Sequence, residues 1–232
     1  MRQVFLDTET TGLEPKLGHR IVEIAAVEMC NRQLTGRQLH YYLNPERESE
    51  AGALQIHGLT REFLQDKQKF YEIATEFLDF INDAELIIHN APFDIGFLNH
   101  ELGLAKLQTI NKYSPQITDT LKLAKELHPG KRNNLDALCE RYQIDNSRRT
   151  LHGALLDAEL LAEVYLAMTR GQESLLIELE TSGPVFNSTV NMDNLELIVL
   201  TASLDELALH TQQLENIERE SNGKCLWKNL MS

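Results

Sequence analysis

The sequence predicts an α/β domain, a mixed sheet flanked by helices, followed by a C-terminal tail of different character. Three observations carry that reading. β-like segments crowd the N-terminal part, short apolar runs then alternate with helix-periodic stretches as far as Met168, and both periodicities lapse after Gly171. At 232 residues the chain has enough apolar material for one well-packed domain and an appendage.

Residues 2–7, 21–30 and 34–43 read as strands, because "IVEIAAVEM" and "QLHYYL" mix alternation with β-formers around the turn-like "NRQLTG". The period becomes helical at Phe70, Ile73, Ala74, Phe77, Leu78 and Ile81. "ELIIH" then reads as a short buried strand, and "PFDIGFLNHEL" as a helix opened by Pro92 at its first position. Asp119, as an N-cap, and Thr120 open a helix reaching Leu127, which Pro129 and Gly130 end. Residues 135–142 form a shorter helix. The longest helical pattern covers residues 151–168, with Leu155, Leu156, Leu160, Val164 and Ala167 on one face.

The chain divides into a domain over residues 1–172, a linker over 173–194 and a tail over 195–232. "TSGPVFNSTVNMDN" has the turn formers of a linker, "LELIVL" reads as a strand or apolar anchor, and Leu204, Leu207, Leu214 and Ile217 make a helical stripe. Such a stripe, with Trp227 near the chain end, buries little by itself and points to a partner.

Thirty-five acids against 22 Lys and Arg give a net charge of -13, which disfavours tight, sequence-independent binding to duplex DNA. Residues 173–232 hold more than half of that excess, and the doublets Lys131-Arg132 and Arg148-Arg149 keep a locally held nucleic acid admissible. Cys30, Cys139 and Cys225 are too widely spaced for a zinc site or a disulfide framework. With no apolar run of ~20 residues and no signal-peptide pattern, a soluble, cytoplasmic protein is the expectation.

Four carboxylates carry the functional signal. Asp7 and Glu9 lie two apart at the end of the first strand, so they point to the same side, where sites collect in α/β sheets. Asp94 stands in the first turn of the helix after the second buried strand. Asp157 interrupts the most apolar part of the last helix with no partner visible nearby, and His152 lies five residues before it. Brought together, such charges repel by about 4 kcal/mol per pair at ~4 Å and an effective dielectric of ~20, so pKa values rise or cations bind. Carboxylate-only ligation suits two divalent hard ions, Mg²⁺ or Mn²⁺, which can clamp the attacking and leaving oxygens of a phosphoryl displacement.

In order and separation, "LDTETTGL", "HNAPFD" and "HGALLDA" resemble the exonuclease I, II and III motifs of the DEDDh 3′→5′ exonucleases, the His-x-x-x-x-Asp spacing marking the histidine branch. More narrowly, residues 130–172 and the closing "CLW" are similar to the proofreading subunits of bacterial replicative polymerases. The resemblance implies a ribonuclease H-like fold and removal of mispaired 3′ nucleotides as 5′-monophosphates. It implies that Asp7, Glu9 and Asp157 ligate one metal, that Asp7 also touches a second, that Asp94 completes the set through water, and that His152 deprotonates the attacking water. It also implies that the tail holds the polymerase subunit and admits a small accessory subunit as partner, while "QESLLI" (172–177) by itself resembles the short Gln-x-x-Leu-x-aromatic peptides that bind the bacterial sliding clamp, with Ile177 where an aromatic is preferred.

Thr10, Gly12 and Leu13 form the turn after the first strand, where backbone amides can approach a terminal nucleotide, and His57 and Phe93 can stack on a base or sugar. His89 and Asn90 order the cleft, and the remaining histidines show no constellation. Two other readings stand beside this one: a free-standing oligonucleotide exonuclease, which would not need the tail, and a structural module with an idle site, against which the complete five-residue set argues.

Overall fold

The computed structural model describes residues 1–147, 149, 151–170, 202–221 and 227. The chain falls into two units, Met1–Ile177 and Glu178–Ser232. The expected linker, the clamp-like peptide and "LELIVL" lie outside the described residues.

In the first unit β1 (Arg2–Thr10), β2 (Ile21–Cys30), β3 (Gln33–Tyr42), β4 (Glu85–Ile88) and β5 (Ile117–Asp119) form one sheet in the order β3-β2-β1-β4-β5. The first three make an antiparallel meander, and β4 and β5 add parallel to β1. β1 is longer than its sequence pattern indicated. Pairing with β4 stops at Leu6 and Ile88, but pairing with β2 continues to Thr10, so Asp7 and Glu9 lie inside a strand that projects past its parallel neighbour.

Helices cover both faces. Val4 and Leu6 pack under α3 (Phe70–Ile81) and α4 (Ala91–Leu104), whereas Phe5, from the opposite side of the strand, packs with α5 (Thr120–Leu127), α6 (Leu135–Tyr142) and α7 (Ala154–Thr169). Each fully buried Phe or Leu contributes about 1.5–3 kcal/mol through lost apolar surface, so the two clusters fix β1 from both sides.

Four local details differ from the sequence pattern. The short α1 (Ala51–His57) and α2 (Arg61–Leu64) and the three-residue β5 are too brief to show a period. Pro92 is the second helical residue, after Ala91. Helix α7 starts at Ala154, leaving His152 in the extended segment before it. Its buried residues are Ala154, Asp157, Ala158, Leu160, Leu161, Ala162, Val164 and Met168; Leu160 and Val164 of the predicted stripe are among them, whereas Leu155, Leu156 and Ala167 are only half-buried and Asp157 stands on the buried side.

In the second unit, α8 (Leu204–Glu220) is capped by a reciprocal Ser203–Glu206 box, and Leu204, Leu207 and Leu209 are exposed on it. No helix among the described residues is long and apolar enough to cross a membrane.

Candidate active site

Alternation along β1 decides where its side chains go. Phe5 faces α7, so Asp7 and Glu9 continue that row beyond the apolar core. Thr8 points to the other face, where its hydroxyl donates to Asp94 Oδ1 at 2.7 Å. Asp94 is placed there because β4 ends beside Leu6 and the chain turns through Asn90, at a φ of 68°, straight into α4. Asp119 supports that turn as predicted and more: it caps α5 and also accepts the Asn90 amide at 3.1 Å.

The opposite wall comes from α7 and the segment before it. Asp157 is buried, and His152, which is 45% exposed at its side chain, is held by its backbone amide, which donates to the Ile56 carbonyl of α1 at 3.1 Å. Ligand atoms of Glu9, His152 and Asp157 lie within 4.8 Å of one another. Asp7, Glu9, Asp94, His152 and Asp157 thus line one cleft, with Asn134, Asp136 and Arg149 beside them.

The electrostatics of this cleft differ from those elsewhere in the fold. Buried Glu28 is paired with Arg2 and Arg37, Glu101 accepts from both Nε and Nη2 of Arg20 at 2.7 Å, and Glu23 is paired with His40 at 2.8 Å. Asp7, Glu9 and Asp94 make no ion pair among the described residues. Burial pushes Glu9 up to about 8, with the Asp157 and Glu23 charges adding to it. Burial likewise pushes Asp94 up to about 7, although the Thr8 hydroxyl pulls it down. Asp7 is held well above its ordinary range by desolvation at the cleft floor and then by Asp94, Glu9 and Asp157. Three carboxyl groups that resist ionisation beside an all-oxygen donor set fit hard divalent cations.

Arg149 is the cleft residue that sequence reasoning missed. Counted there only as part of a basic doublet, it has a side chain just 6% exposed, forking onto Asp157 with Nε to Oδ1 at 2.5 Å and Nη2 to Oδ2 at 2.7 Å, and reaching Asp136 Oδ1 at 2.5 Å. It is the partner that a carboxylate in an apolar face required. The signal was present, since Arg148 and Arg149 are the nearest cations before Asp157, but chain order does not give the distances that pair Arg149 with it.

A second, apolar pocket adjoins the cleft and shares Thr8, Glu9 and Phe93 with it. There Thr10, Gly12, Leu13, His57 and Phe93 come together with α1. Phe93 is half-buried against Phe97, with ring centroids 5.0 Å apart. His57 is buried, its Nδ1 accepting from the Leu59 amide at 3.0 Å, and burial holds its pKa below the usual value. The requirement for Gly12 is different from the one expected: a Cβ would stand 2.3 Å from the ring of His19. His19 is buried between Thr11 Oγ1 at 3.0 Å and Glu50 at 3.0 Å, tying the turn to the start of α1. His40 and His128 also have structural partners, in Glu23 and Tyr142.

Comparison with known proteins is consistent with this geometry. The model of the Exonuclease family (RNase_T) matches residues 4–165. The DNA polymerase III epsilon subunit of Salmonella typhimurium is 49% identical over 98% of this chain and 97% of its own. That of Rickettsia felis is 50% identical over 94% of this chain and 97% of its own. Among solved structures, the nuclease domain of 3'hExo, a DEDDh family member bound to rAMP, superposes with a TM-score of 0.62 at 18% identity, covering 72% of this chain and 90% of that one. That likeness establishes the ribonuclease H-like fold.

Proposed function

The chain belongs to the exonuclease family, in the branch of the DNA polymerase III epsilon subunits, and from that premise we propose that it is the proofreading 3′→5′ exonuclease of a replicative DNA polymerase. One observation carries the reading most directly. Four carboxylates and one histidine from β1, α4, α7 and the segment before α7 line a single cleft, and three of the carboxylates lack a cationic partner among the described residues.

Asp7, Glu9 and Asp157 would hold one divalent cation, Mg²⁺ or Mn²⁺, and Asp7 with Asp94 a second. Bound there, the two ions supply charge neutralisation and polarise the scissile phosphate. The protein's own part is positional and protolytic. Thr8 orients Asp94, Ile56 anchors the segment carrying His152, and the imidazole, partly open to solvent, takes the proton of the attacking water. The adjoining apolar pocket receives the terminal nucleoside, with Phe93 and His57 against its base or sugar and the Thr10 to Leu13 turn at its edge. The product is a nucleoside 5′-monophosphate.

The exposed stripe of α8 supports docking of the tail on the polymerase III alpha subunit. Resemblance supports the sliding clamp as partner of residues 172–177 and a theta-like small subunit as a further partner. Such tethering also accounts for an acidic protein acting on DNA, since the polymerase holds the duplex. Single-turnover digestion of a 3′-mismatched primer with Mg²⁺ tests the core of the reading. Asp7→Ala is expected to lower the rate by about 10³-fold or more, the scale of losing a charge-stabilising group in the transition state, and equal rates would sink the assignment.

A further inference from the structure

Among the described residues the cleft contains a cation of its own. Arg149 occupies both oxygens of Asp157, reaches Asp136, and directs Nη2 to His152 Nδ1 at 3.0 Å. A guanidinium can only donate, so Nδ1 is the acceptor and its lone pair is engaged. Glu9, His152 and Asp157 are also the three groups whose ligand atoms come within reach of one ion. A divalent cation and the guanidinium therefore compete for the same carboxylate oxygens. The fork cannot stay whole when Asp157 turns an oxygen to a metal.

Resting on the metal site proposed above, we propose that Arg149 is a displaceable counter-ion: it stands in for the cation in the metal-free protein, and cation loading releases Asp157 and His152 together. The side chain is built for this. It is 6% exposed, so its attraction to Asp157 is poorly screened, while Asp136, half-exposed at the cleft edge, gives it a second carboxylate on which to remain when the first is taken. The loop that carries it also carries His152, three residues on, so the same movement frees the base. The arrangement suppresses proton abstraction until a cation is bound and lowers the apparent metal affinity by the free energy of the pair it breaks.

The test is a Mn²⁺ titration of the full chain by calorimetry at neutral pH, with wild type, Arg149→Met and Arg149→Lys. Arg149→Met is expected to bind Mn²⁺ about fivefold or more tightly and to melt at a lower temperature without metal, so that its metal-induced rise is the larger; Arg149→Lys falls between. Mn²⁺ binding to Arg149→Met that equals or falls below that of wild type would overturn the proposal, since loss of a merely supporting residue weakens a site. No Mn²⁺ binding by any of the three would overturn the metal site itself, and the proposal with it. Should Arg149→Met not fold, the wild type still decides. The Arg149 Nε–H resonance, assigned through Arg149→Lys, is expected downfield and slow to exchange without metal and lost from that position at saturating Mg²⁺. Its persistence there would show that nothing is displaced.

Discussion

Helix α7 buries eight of its sixteen residues, Asp157 among them, whereas α8, seventeen residues long, buries none. The two are similar in length and opposite in construction. Helix α7 is apolar nearly all round because β1, β2, α5 and α6 lie against it, and its few polar positions are placed by that packing. Helix α8 is polar with one apolar stripe and stabilises its own first turn through the Ser203 cap. A helix embedded in a core can hold a charged group in a low-dielectric cleft where it acts on chemistry. One with an uncovered stripe can contribute only through what it meets.

The sharpest break in that comparison is a cavity. Leu161→Ala removes a buried side chain between α7 and the sheet and is expected to cost about 2–5 kcal/mol in urea unfolding. A cost near zero would mean that α7 is not anchored as described.

Next comes pH, through the carboxyl groups of the cleft that α7 lines. An unfolded glutamate ionises near 4.5 and an unfolded aspartate near 3.8, whereas Glu9 in the fold does so at about 8 and Asp94 at about 7. Between those values Glu9 and Asp94 hold more protons in the folded chain than in the unfolded one, so their contribution to stability in EDTA is lost as pH rises from 5 to 8. A smaller opposite contribution arises below pH 6.5 from His57 and His89, whose pKa values burial lowers. Each tenfold change in a proton-binding constant is worth ~1.4 kcal/mol, so the fall is expected to be about 2 kcal/mol or more. Millimolar Mg²⁺ should restore most of it at pH 8 and little at pH 5, where the carboxyl groups keep their protons. A metal-free stability that climbs over this range would contradict the charge balance assigned to the cleft.

The smallest effect on folding is on α8. Leu207→Ala is expected to change unfolding free energy by no more than about 0.5 kcal/mol while weakening co-elution with the polymerase alpha subunit. Deleting residues 182–232 should abolish that co-elution and leave digestion of single strands intact. Loss of digestion as well would place part of the nuclease domain beyond residue 181.

Much of this was legible from residue order. The meander, the helix over 70–81, the Asp119 cap and the α8 stripe each rest on periodicity or a cap within one segment, which short-range physics sets. The five motif residues were legible because their spacing matches a family pattern. Helix α1 and β5 were not, being short elements whose stability comes from the neighbours they pack against.

The sequence by itself determined the fold class, and it singled out four carboxylates and His152 as one candidate set with the charge problem that they pose together. Only the tertiary structure decided how that problem is met. The pairing of β1 with two strands of different reach projects Asp7 and Glu9 into a cleft, and the rotation of α7 turns Asp157 toward them. The path of the segment before α7 brings Arg149 onto Asp157. The reason is physical: periodicity reports which face of an element is apolar, but the partner of a buried charge depends on distances across elements, which chain order does not encode locally.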